Sequence, residues 1–488
     1  MIGVRMQPMH RKQHVFLALF AFFVSISLVA CGGSSTASSA PAKTQVTPKS
    51  TRIVDRDNGY LYYTTPQGIY QIHADTGHPG WKTPLGRAQV ALSEDQQTLY
   101  ISSENTSGQP ALTALDNSTK QQKWSTPFDG ITAFLVHGNS IYVASLGTLY
   151  RVDATTGKAT WKTDPANTLG GGRAFIEATD SLVYFTYTYS VNAYDATTGK
   201  LVWQQKTETS TEQTSDLKLV DNILVDITIA PGVEGHIEGL NPQSGKKIWS
   251  DGVYAVTDTI DVSKHLVYLL YNGGDDSPFT SQSGLAAIKT DDGAGSVAWS
   301  NQFHADNQTL AVFSTTNQGQ PTAYIAAQSA SDNTPQVVAY SLQDGHSLWT
   351  SNATAPGSGI NTTGNSTAKV TVIQPGAGSD TNTYAVLDNG AVYAFDPQGK
   401  QVWNKQLYAI NIISYASASS TTPALYILGT DPSTDQTSNF NLSTGASKYK
   451  VTSANPNSGA SLWQWSIPVS YPPNEIYASD LYARVSDK

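Results

Sequence analysis

The 488-residue sequence predicts an all-β fold, a β-propeller built from four-stranded blades. Three observations predict this class. A turn motif that contains a tryptophan recurs along the chain, a second strand-like segment precedes each copy, and successive copies are 37 to 54 residues apart. Repeats of this length that consist only of strands are typical of propeller blades rather than of helical solenoids.

The repeated turn is clearest in two copies, VDATTGKATW ending at Trp161 and YDATTGKLVW ending at Trp203. An Asp at the start of such a turn accepts hydrogen bonds from the backbone that follows it, and Gly157 and Gly199 can adopt a positive φ because they have no Cβ. The motif therefore predicts a β-hairpin with a tight corner, whose returning strand carries the tryptophan.

Tryptophan occupies one register in eight copies of this motif. A glycine stands four residues before it in every copy except that of Trp124, where Lys120 takes this place. A further copy carries Tyr449 in the tryptophan position, and we expect Trp463 and Trp465 to lie outside the register. The eight tryptophans in register are Trp81, Trp124, Trp161, Trp203, Trp249, Trp299, Trp349 and Trp403.

Short apolar and aromatic segments upstream of the hairpins supply another strand of each unit. A fourth strand fits in the remaining spacing, which makes one blade per copy. The upstream segments are LYIS at 99, IYVA at 141, LVYF at 182, ILVD at 223, LVYL at 266, AYIA at 323, TYAV at 383 and LYIL at 425.

Stacking such sheets around an axis buries their apolar faces and leaves only short open edges. In this arrangement each tryptophan of the repeat is a large apolar plate between neighbouring blades, so we expect the series to be structural. The alternative is an aromatic ladder that binds a ligand.

The number of blades is expected to be eight, from the eight tryptophan copies, with nine as the alternative if the Tyr449 copy counts. The first copy, from Arg52, has no room for a full leading strand, and residues 476–487 carry strand-like sequence without a hairpin. This pattern predicts a ring that is closed by pairing of the N-terminal and C-terminal strands in one blade.

The string Y-x-D-x-x-T-G-K-x-x-W resembles the repeat of the pyrroloquinoline-quinone-type propellers. This superfamily includes the quinoprotein alcohol dehydrogenases and a non-enzymatic lipoprotein of outer-membrane assembly, BamB. The resemblance covers residues 52 to 488 and implies the fold, whereas a fold of this kind hosts several functions. Similarity to the dehydrogenases would imply an adjacent Cys-Cys pair over the cofactor, but Cys31 is the only cysteine of the chain.

The N-terminus predicts export and a lipid anchor. Basic residues precede an apolar run from Val15 to Ala30, which is typical of a signal peptide. The run ends in Leu28-Val29-Ala30-Cys31, which resembles a bacterial lipobox with Cys31 as the lipidated residue. We therefore divide the chain into a signal peptide (1–30), a lipidated cysteine with a flexible Ser/Thr/Ala/Pro tether (31–51) and the propeller (52–488).

Composition disfavours nucleic acid as a partner. The formal net charge is −9, charged residues make up 14% of the chain, and no basic stripe is present. We expect a monomeric propeller on the extracytoplasmic side of a bacterial membrane, with membrane contact through the anchor only.

Templates for catalysis are missing from the sequence, so we expect no catalytic residues, no cofactor and no metal site. There is no H-E-x-x-H and no G-x-S-x-G. His73 and His78 are expected to be surface residues of a turn rather than a metal pair. The segment 170–173, GGGR, lacks the lysine and the helix of a phosphate loop.

Acidic loops at 55–59, 273–276 and 431–435 could each hold a calcium ion, but paired Asp residues in solvated loops are ordinarily just polar. Two long insertions, 272–284 and 351–369, mark the side on which we would expect a partner to bind.

These features favour a lipid-anchored, non-enzymatic scaffold that binds another protein, and the resemblance to BamB implies a role in envelope protein assembly. Two alternatives remain open. One is a module that binds glycans or small ligands, and the other is a quinone-linked or hydrolytic propeller enzyme.

Overall fold

The computed structural model describes most of the chain after residue 59. The described residues are 60–65, 68–83, 89–95, 97–104, 108–164, 174–187, 189–206, 213–220, 222–229, 235–253, 255–263, 265–272, 283–302, 311–314, 321–328, 334–353, 369–376, 379–415, 423–430, 447–471 and 483–485.

These residues form nine four-stranded antiparallel sheets, which we number 1 to 9 along the chain. Sheet 1 contains β1 (Tyr60–Thr65), β2 (Gly68–His73), β3 (Pro79–Thr83) and the last strand, β36 (Ala483–Val485). Sheet 2 contains β4 (Gln89–Leu92), β5 (Thr98–Glu104), β6 (Pro110–Asp116) and β7 (Gln122–Pro127). Sheet 3 contains β8 (Ile131–His137), β9 (Ser140–Ser145), β10 (Thr148–Asp153) and β11 (Ala159–Lys162).

The next three sheets follow the same plan. Sheet 4 contains β12 (Phe175–Ala178), β13 (Leu182–Thr186), β14 (Ser190–Asp195) and β15 (Leu201–Lys206). Sheet 5 contains β16 (Gln213–Val220), β17 (Ile223–Ile229), β18 (Gly235–Leu240) and β19 (Lys247–Val253). Sheet 6 contains β20 (Ala255–Ser263), β21 (Leu266–Asn272), β22 (Ser283–Lys289) and β23 (Val297–Gln302).

The last three sheets complete the set. Sheet 7 contains β24 (Ala311–Ser314), β25 (Thr322–Gln328), β26 (Pro335–Ser341) and β27 (Ser347–Asn352). Sheet 8 contains β28 (Val370–Pro375), β29 (Thr383–Leu387), β30 (Ala391–Phe395) and β31 (Gln401–Gln406). Sheet 9 contains β32 (Ala409–Tyr415), β33 (Ala424–Thr430), β34 (Ser447–Ala454) and β35 (Ser461–Tyr471).

Within sheets 2 to 9 the strands pair in chain order, so that each of these sheets is a meander with its first and fourth strands at the edges. The first strands of neighbouring sheets contact one another, for example β8 with β12 and β12 with β16. The first strands therefore lie on the inside of the ring and the fourth strands on its rim. The predicted all-β propeller of four-stranded blades is confirmed.

Sheet 1 is assembled from both ends of the chain. Its strand β36 pairs antiparallel with β1, with Leu61 opposite Val485 and Tyr63 opposite Ala483. This places β36 in the position that the first strand holds in every other sheet.

The nine sheets correct the expected number of eight and agree with the alternative of nine. The ninth copy of the turn ends at Trp463, with Gly459 four residues and Asn455 eight residues before it. The expectation that Trp463 lies outside the register is therefore wrong. Tyr449 lies in the third strand of sheet 9 and does not take the tryptophan position on the fourth.

The repeated turns close as their sequence predicts. In sheet 3, Asp153 Oδ1 accepts hydrogen bonds from the backbone N–H of Thr156 at 2.8 Å and from its hydroxyl at 2.8 Å. The Gly157 N–H donates to the Asp153 carbonyl oxygen at 2.8 Å, and Gly157 has a φ of 71°. A side chain rarely adopts this backbone conformation, which explains the glycine.

A β-bulge precedes the tryptophan on the fourth strand. In sheet 4 the pairing register shifts between Ala193, opposite Trp203, and Tyr194, opposite Leu201, so that Val202 is the extra residue. A bulge of this kind turns the strand and pushes its extra residue outward. Aliphatic residues at this position are exposed in several sheets, for example Leu462 with 58% of its surface accessible.

Several predicted features lie outside the described residues: Cys31, the signal peptide, the tether, the three acidic loops, the GGGR segment and most of the 272–284 and 351–369 insertions. Over the described ranges, we find no helix with the length and apolar character needed to span a membrane.

Candidate functional site

The repeated tryptophans lie at the contacts between neighbouring sheets. Every tryptophan of the register except Trp81 packs against the turn glycine of the next sheet so closely that a Cβ on that glycine would lie 2.4 to 2.9 Å from a ring atom. The pairs are Trp124–Gly157, Trp161–Gly199, Trp203–Gly245, Trp249–Gly295, Trp299–Gly345, Trp349–Gly399, Trp403–Gly459 and Trp463–Gly77.

The last of these pairs connects sheet 9 to sheet 1. Glycine is thus required at these turns for two reasons, a positive φ and the approach of an indole ring.

Hydrogen bonds fix most of these contacts. The Trp203 indole N–H donates to the Pro242 carbonyl oxygen of sheet 5 at 2.8 Å. The same bond joins Trp124 to Ala154, Trp161 to Ala196, Trp403 to Pro456 and Trp463 to Ala74.

A tyrosine from the second strand supports the tryptophan within the same sheet. Tyr184 and Trp203 have ring centroids 6.0 Å apart and tilted planes, a favourable aromatic geometry. Six further pairs repeat it: Tyr100–Trp124, Tyr142–Trp161, Tyr268–Trp299, Tyr324–Trp349, Tyr384–Trp403 and Tyr426–Trp463.

The contact between sheets 1 and 2 departs from this rule. Lys120 replaces the turn glycine and still has a φ of 59°. Its ammonium group donates to Asn117 Oδ1 at 2.9 Å, which anchors the side chain within its own turn. Trp81 is half-buried, and its backbone N–H donates to Gln71 Oε1 at 3.2 Å.

Sheets 5 and 6 depart from it in another way. In sheet 5, Gly239 lies opposite Trp249 on one side and opposite Val225 on the other. Val225 therefore occupies the position that the tyrosine holds in most other sheets. The indole nitrogens of Trp249 and Trp299 are buried and have no hydrogen-bond partner among the described residues. In the turn that Trp249 meets, Asp292 accepts the hydrogen bonds and Gly293 has an additional positive φ of 69°, which changes the path of the carbonyl groups.

Buried carboxyl groups are concentrated in one sector of the ring. In the described part of the chain, five carboxyl side chains are buried, and four of them belong to sheets 4 and 5. We call these four residues, Glu177, Asp216, Asp226 and Glu238, the acidic sector. Acidic residues are rarely buried unless they are paired, so this sector is the candidate functional site.

Two lysines neutralise part of the acidic sector. Lys218 Nζ lies 3.3 Å from Asp216 Oδ1, and Lys247 Nζ lies 2.5 Å from Glu238 Oε1. Asp226 stands directly opposite Glu238 on the neighbouring strand. Two carboxylates in such positions repel each other. The ion pair of Lys247 with Glu238 offsets this repulsion.

Glu177 is the most deeply buried member, with 1% of its surface accessible. Its Oε2 atom has no hydrogen-bond partner among the described residues. Burial raises the pKa of Glu177 to about 8, against a smaller lowering by Lys218. The carboxyl group is therefore mostly protonated at neutral pH, because an apolar surrounding disfavours its charged form.

The fifth buried carboxyl, Asp380, is satisfied by hydrogen bonds. Its Oδ2 accepts from the Tyr384 hydroxyl at 2.8 Å and from the Ser414 hydroxyl of sheet 9 at 2.8 Å, and its Oδ1 accepts from the Asn382 N–H at 3.1 Å. Burial is the largest influence on the pKa of Asp380 and raises it. This residue links sheets 8 and 9.

The histidines of the described ranges form no metal cluster. His73 and His78 lie in the first hairpin, and the residues that the structure describes contain no group of three or more His, Cys, Asp or Glu side chains placed to hold a metal ion. Sequence reasoning missed the acidic sector. The sequence hints at this sector only by placing a charged residue within each of two first strands, Glu177 in FIEA and Lys218 in LKLV.

Comparisons with known proteins agree with this fold. The sequence model of the family described as outer membrane protein assembly factor BamB matches residues 66–236, 127–311 and 233–424. A polyvinylalcohol dehydrogenase of Sphingopyxis sp. (strain 113P3) is 25% identical over 262 residues, which are 51% of this chain and 33% of that protein. The match thus spans about a third of the dehydrogenase.

Solved structures are similar to this chain at low sequence identity. BamB from Moraxella catarrhalis is 15% identical with a TM-score of 0.43, covering 71% of this chain and 95% of its own. A eukaryotic initiation factor is 10% identical with a TM-score of 0.52, covering 86% of this chain and 98% of its own. Because the family match extends from residue 66 to residue 424, the chain belongs to the propeller family described as outer membrane protein assembly factor BamB.

Proposed function

We propose that this protein is a lipid-anchored propeller on the outer side of a bacterial membrane, where it binds other proteins without catalysing a reaction. The observation that carries the proposal is the family match, which extends through most of the sheets. The family description points to assembly of envelope proteins, and we extend this role to the present chain.

The packing of the repeat aromatics supports a scaffold over a glycan-binding ladder. A ladder needs exposed ring faces on which sugars can stack. Trp124, Trp203, Trp249 and Trp403 expose only 6 to 9% of their surface, since they lie against the next sheet. The faces of these four rings are thus occupied by contacts between sheets.

Anchoring follows from Cys31 and the segment behind it. Residues 32–51 are rich in Gly, Ser, Thr, Ala and Pro, a composition that forms flexible linkers. Twenty such residues span about 25 Å on average. This length would hold the propeller close to the membrane while leaving it free to turn toward a partner.

A quinone-linked dehydrogenase is the second candidate, and the similarity to polyvinylalcohol dehydrogenase favours it. The resemblance to quinoprotein alcohol dehydrogenases would imply an adjacent cysteine pair, which a chain with one cysteine does not have. Titration of the purified protein with pyrroloquinoline quinone and calcium, followed by dye-linked oxidation of polyvinyl alcohol and short alcohols, tests this candidate. Saturable binding with turnover would overturn the non-catalytic proposal.

Crosslinking in intact cells, followed by purification of the tagged chain, tests the scaffold directly. We expect one or a few proteins to be recovered in fixed ratio to the chain. Cys31→Ser provides the control, because it removes the lipid and leaves the propeller sequence unchanged. A partner that binds the propeller still copurifies with this variant when the two are mixed in detergent extract, whereas a protein that only shares the membrane does not. Loss of every partner from the variant would contradict the proposal.

A further inference from the structure

Glu177 occupies a defined place on the first strand of its sheet. Each tryptophan belongs to a row of residues that lie opposite one another across its sheet. In sheet 2 the row from Trp124 ends at Ala91 on the first strand, and in sheet 3 the row from Trp161 ends at Leu135. In sheet 4 the corresponding row from Trp203 ends at Glu177. A carboxyl group therefore stands where sheets 2 and 3 have an apolar side chain, whereas the same row ends at Lys218 in sheet 5 and at Gln374 in sheet 8.

The surroundings of Glu177 are apolar. Directly opposite on the next strand is Tyr184, which belongs with Leu217 and Leu219 of sheet 5 to one hydrophobic cluster between the two sheets. Neither Glu177 Oε2 nor the Tyr184 hydroxyl has a hydrogen-bond partner among the described residues. A buried carboxylate in this position would lack the hydrogen bonds that stabilise its charge.

Among the described residues, few charged groups are close to Glu177. Lys218 and Asp216 on β16 act on it across the contact between the sheets, and they form an ion pair with each other. On the other side, β8 carries one titratable residue, His137, whose ring nitrogen lies 3.0 Å from Asp180 of sheet 4. Lys218 is thus the cation that could respond to a negative charge on Glu177, and it is already engaged by Asp216.

From this geometry we propose that Glu177 is a proton-operated lock between sheets 4 and 5. As a neutral acid it packs within the apolar contact and keeps the two first strands together. On ionisation it draws Lys218 away from Asp216 and admits water, which loosens this contact. The lock acts independently of what the propeller binds.

The direction of the pH dependence follows from the chemistry. Glu177 binds its proton more tightly in the folded chain, with a pKa of about 8, than in the unfolded chain, where the usual value is 4.5. The stabilisation from the neutral acid is complete below the lower value and is lost as the pH rises toward the upper one. Between these limits one such group lowers the folding equilibrium constant by up to tenfold per pH unit.

Urea unfolding of the full chain in detergent, measured from pH 5 to pH 9, tests the lock. We expect Glu177→Gln to remove part of the wild-type loss of stability over this range, so that the two midpoints diverge as the pH rises. Asp380→Asn is the comparison variant, because Asp380 is also buried but accepts three hydrogen bonds. Parallel pH profiles of the wild type and Glu177→Gln would overturn the proposal.

A second variant keeps the test decisive if Glu177→Gln does not fold. Lys218 lowers the pKa of Glu177, so Lys218→Met should move the loss of stability to higher pH. Hydrogen exchange, corrected for its intrinsic pH dependence, should also show faster exchange of β12 and β16 amides at pH 9 than at pH 6 in the wild type. A Lys218→Met profile that coincides with the wild type, or unchanged protection of both strands, would contradict the lock.

Discussion

The indole N–H of Trp463 donates a hydrogen bond to the carbonyl oxygen of Ala74 at 3.2 Å, although 389 residues separate the two along the chain. Tyr426 donates to the same oxygen at 2.8 Å. The ring of Trp463 also covers Gly77, in the arrangement that every other turn glycine of the repeat shows. Contact between sheets 9 and 1 is therefore built from the same parts as contact between consecutive sheets.

Trp463→Ala tests whether this contact contributes as much as those within the chain. We expect Trp463→Ala and Trp203→Ala each to lower the free energy of unfolding by about 3–5 kcal/mol, because each removes a large ring from between two sheets. Leu462→Ala, at the exposed neighbouring position, should change it by less than about 0.5 kcal/mol. Urea denaturation measures all three, and losses below about 1 kcal/mol at both tryptophans would contradict the packing role.

Replacing tryptophan by phenylalanine distinguishes the contribution of the indole hydrogen bond to stability from that of the packed ring. Trp203→Phe removes the bond to Pro242 and leaves a buried carbonyl group without it, whereas Trp249 makes no such bond with the described residues. Trp203→Phe should therefore destabilise the protein by about 1 kcal/mol more than Trp249→Phe. Equal losses in thermal or urea unfolding would mean that the indole bond contributes nothing net.

The requirement for glycine at the turn can be tested with two glycines that share the same backbone conformation. Gly157 and Gly108 have φ values of 71° and 74°, but a Cβ on Gly157 would lie 2.6 Å from the ring of Trp124, while Gly108 has open space around it. We expect Gly108→Ala to cost about 1 kcal/mol from backbone strain, and Gly157→Ala to cost clearly more. Similar values for the two would show that the approach of the ring is not what requires glycine.

Much of this fold could be predicted because its determinants are local. Asp153 and Gly157 close their own hairpin, and Trp161 follows four residues after Gly157. The repeat can therefore be recognised in the sequence without knowledge of contacts between distant residues. The segment NLSTGASKY carries Gly445 four residues before Tyr449, so it matches the turn motif although it does not form the ninth turn. That turn ends at Trp463, sixty residues after Trp403, which is longer than any earlier spacing.

The acidic sector could not be predicted for a different reason. Glutamate is usually exposed, so a single Glu177 within a strand is most simply read as a residue facing solvent. Its burial depends on sheet 5, which begins more than thirty residues later in the chain. Sequence also gives no sign that Asp226 and Glu238 lie opposite each other, because this depends on the hairpin register.

The polar turns should make the protein sensitive to acid. Asp195 accepts hydrogen bonds from the Thr198 hydroxyl and backbone N–H, each at 2.7 Å, and these bonds hold its pKa below the usual range. A lowered folded-state pKa adds stability above the usual value, which is lost as the pH falls through the folded value. We expect Thr198→Val to reduce the stability difference between pH 6 and pH 2.5.

Thr197→Val is the control for this measurement, since Thr197 bonds to Asp195 through its backbone N–H at 3.2 Å. Circular dichroism during acid titration follows both variants. The account of the turn fails if Thr197→Val and Thr198→Val shift the acid transition equally.

The native mass of the anchored protein is the most direct test of the proposed scaffold. The chain alone has a mass of 52.2 kDa before processing. The protein is extracted from its own membranes in mild detergent, and its mass is measured by native mass spectrometry. We expect it in a larger complex that contains a different polypeptide in fixed ratio. Recovery of the chain alone at every detergent concentration, together with quinone-dependent oxidation of an alcohol by that species, would contradict the proposal.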